Sequence, residues 1–344
     1  MGTTPLRTMR ARTGPPVKTA LLRLGGYAAL RRLAPSRRVA ILRYHAICTD
    51  EGAAYADPSI CVSPAAFEQH VRYLADNYAV LSLPEVADRL RHRRPLPRNA
   101  VVITFDDGYA DNLEAARTLG RHGLSATFFI TAGCLDGGDP FWPSEIRALT
   151  AAASGAAVTL DAGRGPVELR LGDEHDRRTA VRTLTRLCKS YTIPEREELR
   201  AQLRRAVGVP RVSRCMLTWD ELAQMHRMGM TIGAHTVTHA NLPSAGVAAA
   251  TAEIVGSRAR LERELGAPVT TFSYPNGGAE RYYTPELQRA VADAGYIAAA
   301  SSSNGFAGPD SDLYALERIE VEERLEDLVF ALEVERFVFS PVRS

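Results

Sequence analysis

Two carboxylates stand side by side at the end of an apolar run. Val101, Val102, Ile103, Thr104 and Phe105 read as a buried strand, and Asp106, Asp107 and Gly108 follow at once. Adjacent carboxylates repel, and burying either is costly without a partner. An ordinary Asp-Asp-Gly turn is the bland alternative. Some 130 residues later His235 and His239 sit four apart in a His-Thr-Val-Thr-His stretch, again after an apolar run. If the chain coils there, two imidazoles at that spacing converge on one metal ion; two unrelated surface histidines are the alternative. One carboxylate with two histidines leaves positions open for water and substrate, the arrangement of a catalytic metal. The two acids then divide the work. One holds the metal, the other handles a proton, and the cation offsets their repulsion.

For these groups to meet, the strands that end in them must open on one face. Residues 39–47 read as a strand with His45 at its end, and 63–78 as a helix with Ser63 as N-cap. The strand at 101–105 is followed by a helix stopped at Gly123 and a β-rich run over 125–133. The pattern resumes with a helix over 217–229, a strand running into the histidines, a long helix over 248–266, and a strand that ends in the turn after Tyr274. Helix, strand and strand complete the chain to about 321. This alternation predicts an α/β fold with a parallel sheet or barrel, whose strand C-termini share one face. Asp106, Asp107, His235, His239 and the turn after Tyr274 would meet there. Residues of about 140–215 break the pattern and read as an inserted, mostly helical segment with helices parted at Pro194. Its arginines read as a solvated face.

The chain of 344 residues is long enough for one large α/β domain with additions. Its 42 basic and 40 acidic residues leave a net charge of +2, which gives no argument for nucleic acid as a partner. Five scattered cysteines, with no Cys-x-x-Cys pair, argue against a disulfide framework or a zinc-thiolate site. Residues 1–38 form a basic leader whose apolar stretch is too short and too charged to span a bilayer, and no secretory signal is recognised. A cytoplasmic enzyme is the default expectation. The sharper one is peripheral contact with an anionic membrane through a basic amphipathic helix.

Taken in order, Thr104-Phe105-Asp106-Asp107-Gly108, His235-x-x-x-His239 and Tyr274-Pro275-Asn276-Gly277 resemble the motifs of the polysaccharide deacetylase family. That family has a NodB homology domain, a deformed (β/α) barrel. The resemblance covers roughly residues 98–135 and 216–320, with Tyr44-His45 as a familiar extension, and residues 39–344 are taken as the domain. It implies a metal-dependent hydrolase that removes an N-acyl group, most often N-acetyl, from an amino-sugar saccharide. Asp106 is then the general base, and Asp107, His235 and His239 hold one divalent ion, usually Zn2+. A backbone N–H in the Tyr274-Pro275-Asn276 turn faces the oxyanion.

The chain departs from the family pattern in three places. Ser273 stands where an arginine commonly orients the base, and Asn276 replaces an aromatic residue. Leu316-Glu317-Arg318 replaces the Leu-x-His that commonly supplies the general acid. Arg318 could serve as the partner of Asp106, or pair with Glu317 or Glu320 at the surface. His45 could be the missing acid, or a histidine satisfied by backbone. A catalytically silent carbohydrate-binding member and a sugar deformylase are the alternative functions.

Overall fold

A computed structural model describes residues 14–48, 55–135, 140–161, 163, 165–208, 214–277 and 282–338. Arg7, Arg10 and Arg12 of the leader and Gly278 of the turn lie outside these. β1 (Ala40–Tyr44), β2 (Ala79–Val80), β3 (Ala100–Phe105), β4 (Thr127–Ile130), β5 (Thr231–Ala234), β6 (Thr271–Ser273), β7 (Ala298–Asn304) and β8 (Leu316–Glu320) all pair in parallel. From β3 the order runs through β4, β5, β6, β7 and β8 to β1, which pairs back onto β3 and closes a barrel of seven strands. β2 adds to the N-terminal half of β3. The barrel is deformed: β5 and β6 share the single pair Phe272↔Ala234, and the β7–β8 register shifts between Ala300 and Asn304.

Alternation along each strand sorts the side chains into two layers. Ile41, Val102, Phe129, Ala300 and Leu316 form one cluster, and the helix Leu83–Arg91 adds Leu83, Val86 and Leu90 to it. Their neighbours Leu42, Ile103, Phe128 and Ile130 belong to a second core shared with the outer helices. Ser63 caps the helix Pro64–Asn77 by accepting from the Ala66 N–H. This geometry leaves the strand C-termini, with their polar residues, at the open end of the barrel.

The inserted segment has its own small core. Trp142–Ala152, Glu174–Ser190 and Ile193–Val207 are helices, and Ala157–Asp161 pairs antiparallel with Pro166–Arg170. Trp142, Leu149, Leu184 and Leu199 pack together between them. The expectation of a solvated arginine face holds for Arg178, Arg182, Arg186 and Arg205, which are exposed, and needs correction for two others. Arg196 and Arg200 are buried, and Arg200 donates to the buried Glu145 at 2.7 Å. Glu145 would be an uncompensated charge without Arg200 and Arg204, so these arginines serve the interior.

Helices Pro15–Arg23 and Gly26–Leu33 rest on the helix Leu325–Glu333. Lys18 pairs with Asp327 at 2.7 Å, and Tyr27 packs on Val329 and Phe330. Among the described residues, no helix is long and apolar enough to cross a membrane.

Candidate active site

The Asp-Asp pair sits on a tightly bent turn. Asp106 N–H still donates to Tyr44 O at 3.0 Å, extending the β1–β3 ladder by one residue. The chain then reverses through left-handed backbone at Asp107 (φ 78°) and Gly108 (φ 90°). Such a conformation costs a non-glycine residue about 1–3 kcal/mol and is found mainly at functional sites. It sends the two adjacent carboxylates into different partners.

The histidine loop is held as firmly. His235 N–H donates to Ile130 O at 2.9 Å, and Gly133 N–H to Val237 O at 2.7 Å. A Cβ on Gly133 would meet that oxygen at 2.4 Å, so only glycine fits. Thr236 and His239 adopt positive φ, and the Glu253 carboxylate accepts from the N–H groups of Val237 and Thr238, each at 2.8 Å. The coil between the histidines brings both Nε2 atoms to Asp107 Oδ1, at 3.4 Å for His235 and 3.3 Å for His239. One ligand atom from each of Asp107, His235 and His239 lies within 4.8 Å of the others, and all three residues are buried.

The chemistry of this donor set fits a cation. His235 Nδ1 lies 2.8 Å from Ser273 O, a carbonyl that can only accept, so Nδ1 carries the proton. In the neutral ring, Nε2 then presents a lone pair to the Asp107 oxygen. Burial pushes His239 down to about 4, so it is neutral at neutral pH. Burial alone would raise Asp107, but the two imidazoles, when they carry protons, outweigh it and hold the carboxyl well below its usual range, so it faces the histidines as a carboxylate. Acceptors facing one another at this distance are satisfied by a shared metal ion, and a carboxylate with two imidazoles suits zinc.

Asp106 faces the barrel interior. Arg318, 1% exposed, donates to both its oxygens at 2.7 Å, one from Nη1 and one from Nη2. The same guanidinium donates to Ser301 O, Thr104 Oγ1 and Ser273 Oγ and lies over the Phe129 ring. His45 Nε2 is 3.9 Å from Asp106 Oδ2, and the His45 carbonyl accepts from Asn112. Arg43, which the sequence reading missed, is also buried at this mouth. Its Nη2 lies 3.4 Å from Glu320, and its Nε is without a partner. A charged residue inside an otherwise apolar strand was the available signal.

Asn276 lies at the pocket with positive φ and two unpartnered side-chain polar atoms. Tyr274 requires a correction: its side chain is not part of the pocket. Its hydroxyl donates to Tyr314 O, and its ring stacks on Tyr283. Ser273 and Tyr274 are successive residues and point to opposite faces, so only the backbone of Tyr274 remains near the site.

The pocket above these groups has a volume of about 370 Å3. Tyr55, Asp57 and Tyr109 form part of its wall, and Trp142, Arg147 and Lys189 come from the inserted segment. That segment also braces the histidine loop. Trp142 donates to His239 O at 3.1 Å, and Arg196 donates to Thr238 Oγ1 at 3.0 Å.

Residues 93–160 and 173–299, more than half of the chain, match the family model described as polysaccharide deacetylase. YxkH of Bacillus subtilis (strain 168), named as a polysaccharide deacetylase, is 22% identical over 300 residues that cover 87% of this chain and 76% of that protein. The Streptococcus pyogenes deacetylase PplD in complex with acetate superposes with a TM-score of 0.57 at 21% identity, covering 87% of this chain and 99% of that one. IcaB from Ammonifex degensii gives 0.56 at 16% identity, covering 87% and 97%. These structures share the fold. The matched segments hold Asp106, Asp107, His235, His239 and the Tyr274-Pro275-Asn276 turn, and the chain belongs to the polysaccharide deacetylase family.

Proposed function

We propose that this protein is a metal-dependent hydrolase that removes an N-acetyl group from an amino-sugar saccharide. The observation that carries the reading is the division of the Asp pair. Asp107 faces two imidazoles, and Asp106, beside it, is clamped by a buried arginine at the floor of an open pocket. A base next to a metal site has no use in sugar binding alone.

A bound divalent ion supplies Lewis acidity toward the amide carbonyl and a more acidic water. Asp106 takes the proton of the attacking water, and Arg318 fixes the orientation of its carboxylate. The Asn276 N–H stabilises the negative charge that develops on the carbonyl oxygen. His45 delivers a proton to the departing amine. The aromatic wall of Tyr109 and Trp142 offers apolar faces to a sugar ring.

The test is mass spectrometry of N-acetylated saccharides incubated with metal-loaded protein. The expected result is loss of one acetyl group, lowered about 100- to 10,000-fold in Asp106→Asn with metal content unchanged. Elemental analysis should find about one ion per chain, lost in the His235→Ala, His239→Ala double variant. Metal retained by the double variant would remove the site. Metal-loaded protein that binds but never cleaves these saccharides would favour the silent carbohydrate-binding reading.

A further inference from the structure

The proposed chemistry uses no sulfur, yet four of the five cysteines gather beside the site. Cys48, Cys134 and Cys215 are buried in one cluster with Tyr109 and Phe141, and Cys61 packs against it. Two of them touch. Ala46–Ile47 and Cys61–Val62 form a short parallel ladder, with Ala46 opposite Cys61 and Ile47 opposite Val62. Cys48 N–H extends it by donating to Val62 O at 3.1 Å. The ladder brings the sulfurs of Cys48 and Cys61 to 2.9 Å, and the two are not joined by a disulfide in this structure.

We propose that Cys48 and Cys61 are a site of covalent modification, joined as a disulfide by an oxidant of the disulfide class. The bond would pin the stretch 55–60 at its C-terminal end. From that stretch Tyr55 donates to the Asp111 carboxylate, Asp57 accepts from Arg147 of the inserted segment, and both line the pocket. The crosslink therefore fixes one wall of the substrate opening to the barrel core.

The step balances with oxidised glutathione as the partner. Cys61 is the more exposed of the two thiols. Its thiolate attacks one glutathione sulfur and expels a glutathione thiolate. Cys48 gives up its proton, attacks Cys61 Sγ of the mixed disulfide, and expels the second glutathione. Two protein thiols are oxidised, one glutathione disulfide is reduced to two thiols, and the two protons go to the departing thiolates. Burial and the neighbouring Cys48 push the Cys61 thiol up, so the reaction should be faster in mildly alkaline buffer.

The full-length protein is incubated with oxidised glutathione, blocked with iodoacetamide in concentrated urea, and mapped without reduction. The expected product is lighter by two hydrogens and yields one crosslinked peptide pair joining Cys48 to Cys61, with Cys134, Cys188 and Cys215 alkylated. Alkylation of both Cys48 and Cys61, a lasting glutathione adduct, or a bond from either to Cys134 or Cys215 overturns the proposal. Reduction of the crosslinked protein should lower its melting temperature by roughly 5 °C, with no such change in Cys61→Ser. An unchanged melting temperature in the crosslinked wild type overturns the pinning role.

Discussion

Asp106 keeps a charge where its surroundings oppose one. Burial alone would raise its pKa, but the Arg318 guanidinium outweighs burial and holds the carboxyl well below its usual range. A base must be ionised to accept a proton, so under the proposed reaction Arg318 would set how far into acid turnover extends. In Arg318→Met the guanidinium is gone and burial is unopposed by it. The Asp106 pKa should rise by about 1–3 units, and the acidic limb of the pH–rate profile should move to higher pH by that amount. An unmoved limb would separate Arg318 from the base. His45 poses the complementary problem. Burial pushes it below its ordinary value despite the pull of Asp107 and Asp106. It is therefore neutral at rest and must collect a proton before giving one away. In the proposed reaction Asp106 would hold the proton taken from water, and it lies 3.9 Å away. His45→Ala should retain the metal and slow amide cleavage, and it should affect an activated ester much less, since a good leaving group needs little proton assistance. Equal losses on amide and ester would make His45 a positioning residue.

At the scale of elements, the two ends of the site depend on different kinds of support. Asp106 and Asp107 follow directly from a strand, whereas the His235–His239 loop is shaped from outside by Glu253 in the helix Val247–Leu265. Glu253→Ala should therefore weaken metal binding by roughly 10- to 100-fold in a chelator competition while leaving the ligands in place. Unchanged affinity would mean that the barrel ladder alone sets the loop. Much of this architecture is legible in the sequence, because the acid pair and the histidine pair each follow an apolar strand and glycines stop the helices at the right places. The parity of β6 is legible too, and counting it would have turned Tyr274 away from the pocket. What is not legible is burial supplied from a distance. Arg196 and Arg200 have the local pattern of a solvated face, and Glu145, the carboxylate that draws Arg200 inward, lies 55 residues away. Arg43 reads as a stray charge until the barrel closes around it. Glu253 sits among other charges on a long helix, and nothing local marks it as the clamp of a loop.

At the scale of the whole molecule, outer helices are tied together by contacts between parts of the chain that are far apart in sequence. Glu333 is fully buried and accepts from Arg31 at 3.0 Å across 302 residues, and from the Tyr78 hydroxyl. Arg336 pairs with it at 3.2 Å, and Arg31 donates in turn to Asn77 at 2.5 Å. One carboxylate thus joins the helices Gly26–Leu33, Pro64–Asn77 and Leu325–Glu333. A buried pair of this kind adds little over a well-packed apolar substitute, yet removing one member strands the other's charge. Glu333→Leu leaves two arginines without their carboxylate and should cost about 3–5 kcal/mol in urea unfolding. Adding Arg31→Met should recover only part of the loss, because Arg336 still lacks the Glu333 carboxylate. The pocket lies elsewhere, so the folded fraction should keep its turnover number. A cost below about 1 kcal/mol would place the cluster with ordinary surface ion pairs. The N-terminal helices would then be held by Tyr27, Val329 and Phe330 packing instead of by charge.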